Sequence, residues 1–138
     1  PGNLSNAWAC LRTMDSFGLQ YVEVIDQEGA DPTWRNSLSL ALASQPWVSL
    51  RRWRSAAACI RALQDEGCRV IALDLGHGSV CLDDLLSGTA VDSSPVVGGR
   101  PPALAFVLGN EMEGVSPAVR QLADVRAFLP TLGMCQSF

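Results

Sequence analysis

Lysine is absent from the sequence: all ten basic residues are arginine. Against fourteen acids they leave a net charge of -4. That balance argues against a general polyanion binder, because affinity for nucleic acid rests largely on neutralised phosphates. Any grip on phosphate must then be local, as where Arg51, Arg52 and Arg54 gather around Trp53. Arginine with an interleaved aromatic can hold phosphate and stack on bases; a solvated helix face with Trp53 in the core is the other reading. Histidine occurs once, at His77, and the five cysteines, Cys10, Cys59, Cys68, Cys81 and Cys135, include no C-x-x-C pair. An odd set without framework spacing excludes a disulfide scaffold and reads as reduced, mostly buried thiols of an intracellular protein. A zinc site would need His77 and Cys81 plus distant partners, which does not match the spacing of structural zinc sites. No metal is expected.

Long apolar runs are also missing. None approaches the roughly 18 residues that cross a bilayer, so no membrane partner is expected. Neither nucleotide fingerprint occurs: the glycine loop LGHGSV at residues 75–80 lacks the third glycine of G-x-G-x-x-G, and no G-x-x-x-x-G-K-[ST] stretch exists. A nucleotide-binding Rossmann-type enzyme is therefore disfavoured. What is present is a hydrophobic content of 48% with only 17% charged residues, which excludes a disordered or coiled-coil chain. A length of 138 residues suits one domain with a sizeable core, spanning 1–138.

Read in order, the apolar spacing of Trp8, Leu11 and Met14 predicts a helix over 6–17, closed by Gly18. The β-branched run YVEVID predicts a strand over 19–26. A Gly/Asp/Pro-rich loop at 28–33 and a short helix at 36–43 follow. Residues 45–50 read as a brief strand and 51–66 as a helix with an apolar stripe through Ala58, Ile60 and Leu63, stopped by Gly67. RVIALD at 69–74 is a second, buried strand, and a helix between two such strands implies a right-handed βαβ crossover. Residues 87–102, crowded with Gly, Pro and Ser, read as a long surface connection.

The chain is organised around residues 101–116, PPALAFVLGNEMEGVS, and their echo at 129–138, LPTLGMCQSF. The unbroken apolar run at 103–108 suits a strand buried on both faces inside a parallel sheet. Gly109 and Gly114 bracket Asn110, Glu111 and Glu113 in a tight loop; Ser116 and Pro117 then supply an N-cap and first position for a helix over 117–122. A last short strand is expected over 125–129 and a loop over 130–137. A strand that stops at glycine, presents acids and restarts as a helix is where open α/β sheets place ligand sites.

GNEMEGVS followed by LPTLGMCQS resembles the second and third signature motifs of the SpoU/TrmH branch of the SPOUT RNA methyltransferases. NAWACLRTMDSFG at 6–18 resembles the first, so the three motifs stand in the family's order. The resemblance implies an α/β domain with a mainly parallel sheet and a deep trefoil knot at its C-terminal end, acting as a homodimer. It implies transfer of a methyl group from S-adenosylmethionine to a ribose 2'-hydroxyl of tRNA or rRNA. Carried over by position, Arg12 is the central catalytic residue, with Asn6, Glu111 and Ser137 completing the site. Gly109, Leu129 and Phe138, together with Leu108, Leu132 and Gly133, match cofactor-contacting positions, and Arg12, Arg51 and Arg52 are the expected RNA contacts. A guanidinium holds its proton at neutral pH, so clamping a phosphate and stabilising a forming alkoxide suits Arg12 better than acting as a base.

Three departures from the family pattern matter. Family members have another strand just upstream of a segment like 1–5, and Asn3 competes with Asn6 for the first-motif asparagine. After Phe138 they continue with a leucine, an asparagine and a knot-forming helix. The knot is therefore expected to be incomplete within 1–138, the dimer face reduced, and methyl transfer by these residues alone weak or absent. A non-catalytic RNA-binding or dimerisation module on the same fold is the alternative reading. Any leader would lie upstream of Pro1, which leaves cytosol, mitochondrion and plastid all open.

Overall fold

The computed structural model describes residues 4–25, 48–88, 102–110 and 113–130. They fall in two compact units, Pro1–Cys59 and Ile60–Phe138. The first holds helix α1 (Leu4–Ser16) and two parallel strands, β1 (Tyr21–Ile25) and β2 (Ser49–Trp53). Leu11 on α1 is buried and Met14 half-buried, as the helical spacing requires. The helix closes as expected at Gly18, whose φ is +70°, with Gly18 N–H donating to Asp15 O and Leu19 N–H to Met14 O. That pair of bonds is a Schellman turn.

β2 corrects the sequence reading. Residues 51–53 continue a strand, and the helix expected from Arg51 begins only at Ala56 as α2 (Ala56–Asp65). The register Tyr21↔Ser49 through Ile25↔Trp53 gives residues 49–53 a parallel partner and sets Arg51 opposite Glu23. Helix propensity is a weak prior, and pairing with a segment far upstream overrides it. The expected strand over 45–50 is thus realised as its last two residues joined to the next three, with 45–47 outside the described residues.

The second unit is built on a four-stranded sheet of order β4-β6-β3-β5: β3 (Cys68–Leu73), β4 (Val80–Cys81), β5 (Ala103–Val107) and β6 (Val125–Phe128). Every recorded pairing between strands is parallel, so the α/β class with mainly parallel sheets holds. β3 has β5 on one side and β6 on the other, and its Val70, Ile71 and Ala72 are fully buried. On one face Ile71 and Ala127 pack with Leu82 and Leu85 of the short helix α3 (Leu82–Leu86). Burying each such aliphatic side chain contributes roughly 1.5–3 kcal/mol. The C-terminal end of α2 is tied to the start of β6: Gln64 Nε2 donates to Leu122 O and to Asp124 Oδ1, and Val70 N–H donates to Asp124 Oδ2 at 2.7 Å.

β5 is the second correction. It is expected to be buried on both faces, yet among the described residues it has a single neighbour, β3, and Leu104 and Phe106 are 43% and 46% exposed. An apolar run marks a strand that avoids water; which elements cover it is decided by partners outside the run. The sheet edge at which all four parallel strands end gathers Asp74, Leu108, Gly109 and Leu129, because parallel strands finish on the same side. The expected loop at 28–33, the helix at 36–43, most of the connection at 87–102 and the final loop beyond 130 lie outside the described residues. Among the described residues, no helix is long and apolar enough to cross a membrane.

Candidate functional site

In the first unit Arg12 is exposed on α1. It lines an open depression of about 430 Å³ together with Ala9, Thr13, Ser16 and Phe17. All five are on α1 or immediately after it, so this is an open surface of one helix and not an enclosed cavity. Ser16 Oγ donates to Arg12 O at 2.9 Å, which anchors the last turn of the helix. Asn6 is also exposed. Six residues are about 600° of helical rotation, so it leaves the helix about 120° away from Arg12. The helix alone does not put the two on one face. Asn3 lies outside the described residues.

The basic cluster at 51–54 is divided by the strand that holds it. Successive side chains of a strand point to opposite faces. Arg51 and Trp53 share the face of Glu23, while Arg52 projects on the other. Glu23, 16% exposed, accepts from Arg51 Nε at 2.7 Å through Oε1 and from Trp53 Nε1 through Oε2. The Arg51 guanidinium lies 5.6 Å from the Trp53 ring centroid. Trp53 is half-buried on a strand, so the expected helix face is not formed and the ring packs only in part.

In the second unit the loop after β5 folds as its residues suggest. Asn110 N–H donates to Gly114 O and Gly114 N–H to Asn110 O at 2.9 Å, closing a tight turn, and Asn110 Oδ1 accepts from Glu113 N at 2.6 Å. Val115 is buried and pins the exit of the turn. Ser116 caps α4 (Pro117–Leu122), its Oγ accepting from Val119 N, and Pro117 takes the first helical position. Gly109 is required for a reason internal to the chain: a methyl group on its α-carbon would overlap the backbone of Gly114 and Val115. The partner that approaches Gly109 closely is the turn itself. Leu108 and Leu129, at the ends of β5 and β6, are 62% and 44% exposed and offer apolar surface at the same sheet edge.

That edge also holds a cluster that sequence reasoning missed. The Asp74 carboxylate, whose side chain is 7% exposed, faces two arginines. Arg120 reaches it through Nε to Oδ2 and Nη2 to Oδ1, both at 3.2 Å. Arg126 Nη1 stands 3.8 Å from Oδ2, and its Nη2 donates to His77 O at 2.9 Å. Gly78, at φ +84°, leaves the room Arg126 needs: a Cβ there would sit 2.8 Å from Nη2. Asp74 is 46 residues from Arg120 and further from Arg126 in sequence, so no spacing pattern announces the cluster; an acid ending a buried strand was the one available signal. Arg12 belongs to the first unit and Gly109 to the second. Glu111, Leu132, Gly133, Ser137 and Phe138 lie outside the described residues. Among the described residues, no three His, Cys, Asp or Glu side chains gather as a metal would require.

Comparison with known proteins gives these geometries a context. The model of the SpoU rRNA Methylase family matches residues 1–138. A tRNA (guanosine(18)-2'-O)-methyltransferase of Thermus thermophilus is 32% identical over 137 residues, covering 99% of this chain and 61% of that protein. Among solved structures, the Aquifex aeolicus TrmH/SpoU tRNA modifying enzyme superposes with a TM-score of 0.70 at 26% identity, over 99% of this chain and 61% of the other. An AdoMet-bound rRNA methyltransferase from Sinorhizobium meliloti shares the fold, with a TM-score of 0.70 at 21% identity over 99% of this chain and 46% of the other. The chain spans about half the length of curated relatives it matches, 54%, 57% and 51% in three of them.

Proposed function

The chain belongs to the SpoU rRNA methylase family, and from that premise we propose that it is the catalytic domain of an RNA 2'-O-methyltransferase, acting inside the cell on a ribose 2'-hydroxyl of tRNA or rRNA. The observation that supports this most is the closed Gly109–Gly114 turn at the carboxyl edge of a parallel sheet, where such sheets bind ligands. The residues at that edge suit S-adenosylmethionine: backbone N–H and C=O groups at Gly109 for its polar atoms, and exposed Leu108 and Leu129 for the adenine ring. Leu132, Gly133 and Phe138 complete its binding set. When bound, S-adenosylmethionine supplies a methyl group activated by a sulfonium centre.

The chain's own residues position the acceptor. Arg12 clamps the phosphate next to the target ribose and stabilises negative charge growing on the 2'-oxygen as its proton passes to solvent water. The family resemblance assigns Glu111 to the same chemistry, as an acid that anchors its loop or serves the first-motif residues, and Ser137 to holding the target ribose or phosphate. Arg51 and Arg52 extend the phosphate contacts. With S-adenosylmethionine bound, these residues would serve mainly to hold the acceptor hydroxyl in place, since orientation alone accounts for several kcal/mol of a displacement barrier, about 7 at least in well-aligned cases. The reading includes the trefoil knot and the homodimer of the family.

The test uses the protein expressed from the whole open reading frame that contains these residues. Calorimetric titration with S-adenosylmethionine is expected to show saturable binding, and tRNA is expected to accept methyl groups. Arg12→Ala is expected to lower turnover by about 10²–10³, as losing one donor to a developing oxyanion does, while leaving S-adenosylmethionine binding intact. A flat titration refutes the enzyme and favours the non-catalytic module.

A further inference from the structure

We propose that Arg120 and Arg126, held by Asp74 beside the Gly114 turn, form a grip for an RNA phosphodiester; this rests on the reading of the protein as an RNA methyltransferase. One buried carboxylate meets two guanidiniums, so the cluster carries a net charge of about +1 by simple count. It does so on a chain whose overall charge is -4. The arginines keep 43% and 31% of their side chains exposed while Asp74 is covered. The anion is thus the inner member and the cations face outward.

Each guanidinium is oriented at its inner edge. Arg120 commits Nε and Nη2 to Asp74, and Arg126 commits Nη1 toward Asp74 and Nη2 to His77 O. An arginine has five N–H donors in a fixed plane, so both retain donors for a second anion. Asp74 Oδ2 accepts no well-aligned hydrogen bond despite its burial, which marks the cluster as held by charge with its donors incompletely used. Preorganised guanidinium pairs suit planar, bidentate recognition of phosphate.

Location supplies the rest. A Cβ at Gly114 would lie 3.8 Å from Arg120 Nη2, which puts this guanidinium against the turn that the proposed function assigns to the methyl donor. Gly78 makes way for Arg126 at the same edge. A ribose brought to that turn carries a phosphate on each side, and among the described residues this arginine pair presents positive charge at that edge.

The test measures binding of an unmodified tRNA transcript by fluorescence anisotropy over about 50–200 mM KCl, with the protein from the whole open reading frame. Arg120→Gln and Arg126→Gln are each expected to weaken binding about tenfold and to reduce the salt slope by about 1, equally for RNAs of unrelated sequence. The double variant Arg120→Lys/Arg126→Lys keeps the charge, so it is expected to keep the slope and lose affinity, which covers the case in which a glutamine variant does not fold. Calorimetry with S-adenosylmethionine is run on every variant. Unchanged tRNA affinity and slope in the variants, with the wild-type protein binding normally, overturn the inference and leave the proposed function standing. Loss of S-adenosylmethionine affinity with tRNA affinity retained also overturns it, since the oxyanion held is then the donor's carboxylate. Wild-type protein that binds neither ligand overturns both readings.

Discussion

Replacing Gly109 by alanine sets the turn after β5 against itself. The added methyl group would overlap the carbonyl carbon and oxygen of Gly114 and the amide nitrogen of Val115. All three are backbone atoms, so no rotamer change relieves the clash. Either the Asn110–Gly114 hydrogen bonds open or β5 shifts against β3. Overpacking a rigid site costs about 1–3 kcal/mol, and an obstacle made wholly of backbone belongs at the upper end, about 3 kcal/mol. For a chain of this size each kcal/mol moves the melting temperature by roughly 4 °C, so a fall of roughly 10 °C is expected. Gly114→Ala is the internal control. Gly114 has a positive φ of +66°, but its nearest neighbour to an added Cβ is 3.8 Å away, so left-handed strain of about 1 kcal/mol is the whole cost. Thermal melts followed by circular dichroism rank the two. A Gly109→Ala protein that melts within about 2 °C of wild type, or above Gly114→Ala, refutes the close approach as the reason for glycine.

Other substitutions probe the framework around the site. Asp124→Ala removes the acceptor of Val70 N–H and of Gln64 Nε2 and is expected to cost about 2 kcal/mol in urea unfolding, with Asp124→Asn losing less because its amide oxygen still accepts. Glu23→Ala takes the shared partner from Arg51 and Trp53; with Arg51 43% exposed, solvent screening limits the loss to about 1 kcal/mol in the same assay. Ser116→Ala deletes the cap of α4, whose bond to Val119 N is long at 3.4 Å, so about 0.5 kcal/mol is expected.

Much of the second unit was legible because its signals are local. Gly109, Gly114, Ser116 and Pro117 announce a strand end, a turn and a helix start within nine residues, and the chain folds as they say. The end of α1 at Gly18 is equally local. Arg51 and Arg52 were misplaced because their state is set by β1, paired 28 residues upstream. Exposure of β5 escaped notice for a related reason: composition reports aversion to water and not the number of neighbours. The Asp74 cluster draws on three elements whose meeting depends on sheet order. The chemistry assigned to Arg12, Glu111 and Ser137 came from motif resemblance alone, with no periodicity or spacing behind it.

The central claim is that a ribose 2'-oxygen of RNA receives the methyl group. It is tested most directly by supplying tRNA and S-adenosylmethionine labelled in the methyl group to the protein from the whole open reading frame, then digesting the RNA with alkali. Alkaline cleavage needs a free 2'-hydroxyl, so label is predicted in alkali-resistant dinucleotides and absent with Arg12→Ala. Label recovered in single nucleotides, or none incorporated by the wild-type protein, contradicts the account.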